Sequence, residues 1–387
     1  MNIRKAPSQP IPYVTENPFV MEKVTKPQFT KNDPVAEVAF HRLRKDVKEL
    51  IDKLAPSRKK NIVFKALLFP VLYIATYTSL LLWGSNPLVF YGSYFMLGVV
   101  LVMIFLNTIH DAVHGTIFNK KWLNDIYVYF FDLMGANSFV WRIRHVRFHH
   151  NYPNVNGWDT DIEQSSLARV FPTGKALPFH RYQHIYLPLL YPLYLFNWLL
   201  VRDFKDFFNK KKTIWKLIDI PRIEYVKLFL FKAFFLLYLV MIPQWILSVG
   251  WLKVIEGFLV MLFTASIFSL MVLLSPHANT DSEFPLPDEE NKLPHNWVMH
   301  MLTTTNDISQ DNWFVRFFMG SFNFHVVHHL FPNVNHVYYP EITALLKSYA
   351  EEFHLPYRQY SLGASLRKHF MLLKRNGVRE NIFEETM

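Results

Sequence analysis

Apolar residues in this 387-residue chain gather into a few long runs, separated by stretches in which polar and charged positions recur. Residues 1–33 contain no such run; they are polar, broken by proline, and predict an extended arm. Asp33-Pro34 has the form of a helix start. From there Ala36, Ala39, Leu43, Val47, Leu50 and Leu54 recur at helical spacing opposite Lys and Arg, which predicts an amphipathic helix over 34–60. Such a helix lies on a membrane surface or packs against the body of the protein. Ile62–Trp83 and Leu88–Ile109 are each long enough to cross a bilayer, and Lys65, the one charge in them, is placed to snorkel. Gly84-Ser85-Asn86-Pro87 joins them into a hairpin, and a second hairpin is predicted from Tyr225–Ser248 and Trp251–Ser275.

Two further apolar stretches, Trp122–Val140 and Ile185–Val201, are expected to be interfacial helices; Pro188 and Pro192 interrupt the second. Glu341–Phe353 and Ser361–Arg375 predict soluble helices. The pattern as a whole describes an all-α integral membrane protein with four transmembrane helices in two hairpins, interfacial helices and a cytosolic helical cap. Its expected divisions are the arm 1–33, a surface helix 34–60, a membrane body with its cap 61–357, and a C-terminal helical tail 358–387.

Composition agrees with a membrane location, since 51% of residues are hydrophobic and 17% aromatic. The net charge of +10 suits anionic headgroups or nucleic acid, but apolar runs interrupt the basic segments, so lipid is expected and nucleic acid is not. Lys and Arg crowd the first 60 residues, the stretch between the hairpins and the C-terminal third, which places all three on the cytoplasmic side. Cysteine is absent, which excludes disulfides, thiolate-held zinc, iron–sulfur clusters and thiol nucleophiles. Any metal must be held by nitrogen and oxygen.

Histidine supplies the candidate ligands. N-F-H-V-V-H-H-L-F-P carries His325, His328 and His329 at i, i+3 and i+4, which predicts three imidazoles on one helical face. H-D-A-V-H-G places His110 and His114 one turn apart, with Asp111 positioned to orient an imidazole from behind. W-R-I-R-H-V-R-F-H-H stacks His145 and His149, with His150 turned about 100° away, toward a second metal or the opposite wall. The Arg residues of that stretch suit lipid-headgroup or acyl-carrier contacts. The predicted topology brings the three clusters to one membrane face. Eight imidazoles exceed what one ion takes and suit a pair, with zinc, copper or iron all compatible with the donors. His277, at the end of the fourth span, is the candidate ninth ligand, and His336 is a candidate behind the ligands. His295 and His300 are weaker candidates; His41, His180, His184, His354 and His369 read as surface residues.

With these residues the chain resembles the membrane fatty acid desaturase family from about Lys45 to Tyr357, most closely its bacterial acyl-CoA or acyl-lipid (linoleoyl-CoA-like) members. The family's three histidine boxes map onto His110/His114, His145/His149/His150 and His325/His328/His329. H-D-A-V-H-G, G-A-N-S-F-V-W-R-I-R-H, D-T-D-I and H-H-L-F-P match in the flanks. The resemblance implies a non-haem centre of two iron ions, held by the box histidines and His277, that uses O2 to remove two hydrogens from neighbouring methylenes of an acyl-CoA or acyl-lipid and leave a cis double bond. Alkyl C–H bonds offer no acid, base or leaving group, so such chemistry needs a strong oxidant held in a shielded site. Front-end members usually begin the third box with Gln, where this chain has His325. No H-P-G-G haem motif is present, which implies a separate electron donor, a ferredoxin or cytochrome b5 with its reductase. A bacterial inner membrane is expected rather than the endoplasmic reticulum. The nearest rival is a hydroxylase of the same superfamily. A membrane metal transporter fits less well, because the spans carry few ionisable residues.

Overall fold

The computed structural model describes residues 25–162 and 165–378; residues 1–24 of the expected arm lie outside that range. The first helix, α1, runs unbroken over Pro34–Trp83, so the amphipathic segment and the first apolar span form one helix. Pro56 lies inside it, but Pro56 and Asp52, whose carbonyl loses its partner, are both exposed. Asp33 precedes α1 without capping it: its backbone is left-handed at φ 68° and its carboxylate lies 3.7 Å from His295 Nδ1.

After a short turn, α2 spans Pro87–Val113 and contains a π-helical turn at Phe105–Ile109, just before His110. Two shorter helices follow, α3 (Lys121–Leu133) and α4 (Ser138–Arg142), and α4 continues as a π-helical stretch over Ile143–His149. Next come α5 (Pro178–Lys216), α6 (Arg222–Leu247) and α7 (Trp251–Leu273). Five helices, α1, α2, α5, α6 and α7, are long and apolar enough to cross a membrane, one more than the sequence pattern predicts. The fifth is α5, which bends through a 3-10 turn at Tyr191–Leu193 next to Pro188 and Pro192.

α2 is the central element, packed between α1 and α7. Its contact with α7 depends on small residues: a Cβ at Gly98 would meet the Met261 carbonyl, and one at Gly257 the Tyr94 ring. The π turn Leu237–Met241 in α6 frees backbone carbonyls inside this apolar layer. Tyr77 donates to the Tyr238 carbonyl and Tyr94 to the Leu239 carbonyl, each at 2.6 Å.

The cap consists of α8 (Trp297–Thr304), α9 (Trp313–Phe318), α10 (His325–Leu330), α11 (Tyr339–Glu352) and α12 (Leu362–Gly377). Two short parallel strand pairs tie distant segments together, β1 (Gln28–Phe29) with β2 (Lys292–Leu293) and β3 (Asp307–Ile308) with β4 (Gln359–Tyr360). Ala36, Leu43 and Val47 of α1 share a core with Val298 of α8, Val326 of α10 and Ile342 of α11. The amphipathic half of α1 therefore packs on the cap.

Lys65 does not snorkel. It is 4% exposed, and its ammonium donates to Asn107 Oδ1 at 2.9 Å and to the Arg316 carbonyl at 2.8 Å, with His336 Nε2 at 2.9 Å. Three polar partners inside the protein replace the headgroup water that a snorkelling lysine would seek.

Candidate metal centre

All nine histidines singled out in the sequence are drawn together. They form a group of five, His110, His114, His145, His150 and His328, and a group of four, His149, His277, His325 and His329. Within each group one ring nitrogen per residue lies within 4.8 Å of all the others. The groups adjoin, with the His150 and His329 rings stacked at 4.6 Å.

Backbone geometry divides the boxes in a way the sequence pattern did not. The His150 amide bonds the His145 carbonyl at 2.9 Å, an i to i+5 link of the π-helical stretch, and the Nε2 atoms of these residues meet at 3.1 Å. His150 thus joins His145, while His149 goes to the other group. In α10, His325 and His329 share one group and His328 turns to the other. Residues 328 and 329 diverge by about 100° in an ideal helix, so the predicted single face of three imidazoles is a wedge between two sites.

Outer contacts set the tautomers. His145 Nδ1 donates to Asp161 Oδ2 at 3.1 Å, His149 Nδ1 to Asp159 Oδ1 at 3.0 Å, and His277 Nδ1 to the Thr304 carbonyl at 3.1 Å. His328 Nδ1 pairs with the Tyr339 hydroxyl at 3.1 Å. With the proton on Nδ1, each Nε2 presents its lone pair inward. Asp159 and Asp161 belong to the D-T-D-I text, whose role the sequence left unread; Tyr339 and Thr304 carried no signal at all. Asp111 faces away from the cage, accepting from Asn335 Nδ2 at 2.7 Å and lying 2.5 Å from His336 Nδ1. His336 therefore connects Asp111 to Lys65 and contacts no histidine of either group among the described residues.

Electrostatics favour neutral imidazoles. Burial, reinforced by neighbouring rings, holds His114, His150, His325, His328 and His329 well below the ordinary histidine value. Burial likewise lowers His277. His149 is the exception: burial lowers it, but the charge and hydrogen bond of Asp159, with the charge of Asp161, together leave it raised. Burial would raise Asp161, but the hydrogen bond from His145 and the charge of Arg202 hold it well below the usual carboxylate range.

The cage fits metal ions. His277 Nε2 lies 2.9 Å from both His325 Nε2 and His329 Nε2, and His145 Nε2 lies 3.0 Å from His110 Nε2. Because His277 and His145 carry their protons on Nδ1, these approaches point lone pairs toward one another's rings. Spacings of about 3 Å are those of neighbouring nitrogens around an ion bonded at ~2.1 Å. His114 Nε2 and His328 Nε2 are buried without a hydrogen-bond partner among the described residues.

The other histidines have structural roles or face solvent. His300 Nε2 bonds the Pro153 carbonyl at 3.0 Å, and burial lowers its pKa to about 3. His180 and His369, read as surface residues, are each 1% exposed. His180 accepts from the Leu177 amide at 3.0 Å, and His369 bridges the Ala278 carbonyl and the Tyr191 hydroxyl, each at 2.7 Å. Their partners lie far away in sequence or in an irregular turn, beyond what periodicity reveals.

An apolar cavity of about 450 Å³ adjoins the cage, with Asp161 and Ala278 in its wall and Leu187, Leu190, Leu270 and Leu373 further along.

Comparison with known proteins agrees with this geometry. The sequence profile of the family described as fatty acid desaturase matches residues 85–361. The acyl-lipid (8-3)-desaturase of Physcomitrium patens is 30% identical over 85% of this chain and 69% of its own length. The sn-1 linoleoyl-lipid 6-desaturase of Arthrospira platensis is 29% identical over 68% of this chain and 71% of its own. The protein of the same description from Synechocystis is 29% identical over 68% of this chain and 74% of its own. A histidine cage beside an apolar cavity in a membrane protein, together with these matches, identifies the chain as a member of the fatty acid desaturase family, an oxidoreductase acting on fatty acyl chains.

Proposed function

We propose that the two histidine groups each hold one iron ion and that the protein desaturates an acyl chain carried on a membrane lipid. The observation that carries this reading is the convergence of nine buried imidazoles into two adjoining groups with their tautomers set from outside. The metal ligands are then His110, His114, His145, His150 and His328 on one side, and His149, His277, His325 and His329 on the other. A diiron centre supplies the activation of O2 needed to take hydrogen from an unactivated C–H bond. Reduction of O2 to two waters takes four electrons; the acyl chain gives two as its double bond forms, and a separate donor protein supplies the other two. The protein's part is to keep the imidazoles neutral by burial and to aim them through Asp159, Asp161, Thr304 and Tyr339. It also holds the acyl chain in the apolar cavity, away from water. The relatives' names favour a lipid-borne chain over acyl-CoA.

A four-span arrangement, with α5 at the interface, fits the same reading. Contact between His150 and His329 requires an even number of membrane crossings between them, which α6 and α7 supply if α5 lies at the interface. The charge of the basic segments supports a cytoplasmic position for the cage.

The test is expression in a host with a compatible reductase, followed by gas chromatography of its membrane lipids with double-bond location. A new cis double bond, with about two irons per chain and no haem absorbance, is the expected result. Hydroxylated chains, or an unchanged lipid profile with iron bound and the donor working, would overturn it.

A further inference from the structure

The large apolar cavity is not the only space beside the cage. A smaller chamber of about 60 Å³ lies among α2, α3, α5 and α7, with Phe105, Phe131, Met134 and Ser269 in its wall. The two share two wall residues, Tyr194 and Leu273. Each chamber touches the shell of the metal centre. The large one meets Asp161, which bonds His145, and Ala278, which follows His277. The small one meets Phe105, whose ring is 6.2 Å from that of His110, and Phe131, 4.6 Å from Trp141, which stacks on His145 at 5.3 Å.

We propose that Tyr194 and Leu273 form the waist of a two-chamber acyl site, and that Ser269 in the inner chamber limits how much chain extends beyond the waist. The proposal rests on the desaturase reading and adds to it the residues that select chain length. Three features support it. The inner chamber is almost wholly apolar, as a methyl end requires, and Ser269 is one of its smallest wall residues, so it leaves space that a larger side chain would fill. The waist is held firmly on one side. Tyr194 rests edge-on against Trp198 at 5.9 Å, and Trp198 is flanked by the Arg144 and Arg202 guanidinium groups at 5.1 and 4.6 Å. Finally, each chamber has a wall residue beside a ligand or its partner, Asp161 and Ala278 in the large one and Phe105 in the small one.

The experiment compares wild type, Ser269→Val, Ala136→Val and, as a control outside both chambers, His354→Asn. Each full-length protein is expressed with a reductase and fed saturated acyl chains stepped by two carbons. In parallel, each purified protein, stripped of metal by a chelator, is titrated with brominated acyl chains of the same series, and quenching of tryptophan fluorescence reports binding. Ser269→Val is expected to shorten the longest chain bound and converted, lowering its share relative to the next shorter chain about tenfold, the scale on which apolar pockets discriminate methylenes. Ala136→Val, on another wall of the inner chamber, should act in the same direction. His354→Asn, at an exposed position outside both chambers, should keep the wild-type length profile. An unchanged profile in both valine variants, or a uniform fall at every length, would overturn the proposal. If wild type binds the series but forms no double bond, the desaturase reading fails while the binding profile still decides the role of Ser269.

Discussion

His149 and Asp159 stand ten residues apart in the chain and meet at 3.0 Å, Nδ1 to Oδ1. The carboxylate is itself immobilised: it accepts the backbone amides of Asn154, Asp161 and Ile162 at 2.8–3.2 Å, and it is fully buried. A loop reversal thus supplies a rigid stop for the imidazole. Asp159→Ala should lower metal affinity about 10–100-fold. Iron per chain, measured by mass spectrometry against a graded series of chelators, checks this; wild-type retention would show that His149 is aimed by something else.

Arg202 extends the same logic one shell outward. Its Nη2 donates to Asp161 Oδ1 at 3.1 Å, while Asp161 Oδ2 receives His145 Nδ1. Both charged groups are largely buried. Arg202→Met leaves the carboxylate facing His145 without its cation and should destabilise the protein by about 3 kcal/mol, the cost of breaking a buried pair. The measurement is thermal unfolding in detergent, with iron content read on the same samples.

The two histidine groups predict a sharp contrast among single substitutions. His329→Ala removes a member of the group of four and should abolish double-bond formation while lowering bound iron. His354→Asn alters an exposed residue at φ 53°, a backbone conformation that Asn tolerates, and should leave both unchanged. Lipid analysis together with metal analysis separates the two outcomes.

Asp307 predicts a pH dependence. Burial raises its carboxyl to about 7, although the Val326 amide and the Tyr357 hydroxyl, each 2.7 Å away, bond it. A carboxyl whose folded value lies above its unfolded one gives stability that is complete below the unfolded value of about 4 and is lost as pH rises through about 7. Asp307→Asn cannot ionise. The difference in Tm between wild type and variant, measured on metal-free protein, should therefore shift against wild type between about pH 4 and pH 7. A constant difference across that range would show that Asp307 is ionised throughout.

Much of this architecture was legible in the chain. Apolar runs gave the helices that form α1, α2, α6 and α7; the three histidine boxes drew attention to eight histidines of the cage, and the end of a span to His277. What escaped notice has physical reasons. π-Helical turns at Phe105–Ile109 and Ile143–His149 change the residue count per turn, and periodicity assumes it constant. That is why the partner of His145 was expected at His149 and is found at His150. Asp159 and Asp161 were visible as text, yet their roles depend on a loop turning back toward α4. Lys65 looked like an anchor at a span's edge because its partners, Asn107, Arg316 and His336, come from three other segments.

The division of neighbouring histidines between the two groups has a further consequence. Residues 149 and 150, and residues 328 and 329, each place one imidazole in each group. Consecutive Cα atoms are ~3.8 Å apart across a trans peptide, a length fixed by covalent bonds. Two peptide units therefore tie the two histidine groups to each other at short range. In the two-iron reading the main chain limits how far apart the two ions can sit, and the side-chain torsions set the gap within that limit. Inserting one residue within either pair would turn the following imidazole by about 100° and so disturb both groups at once.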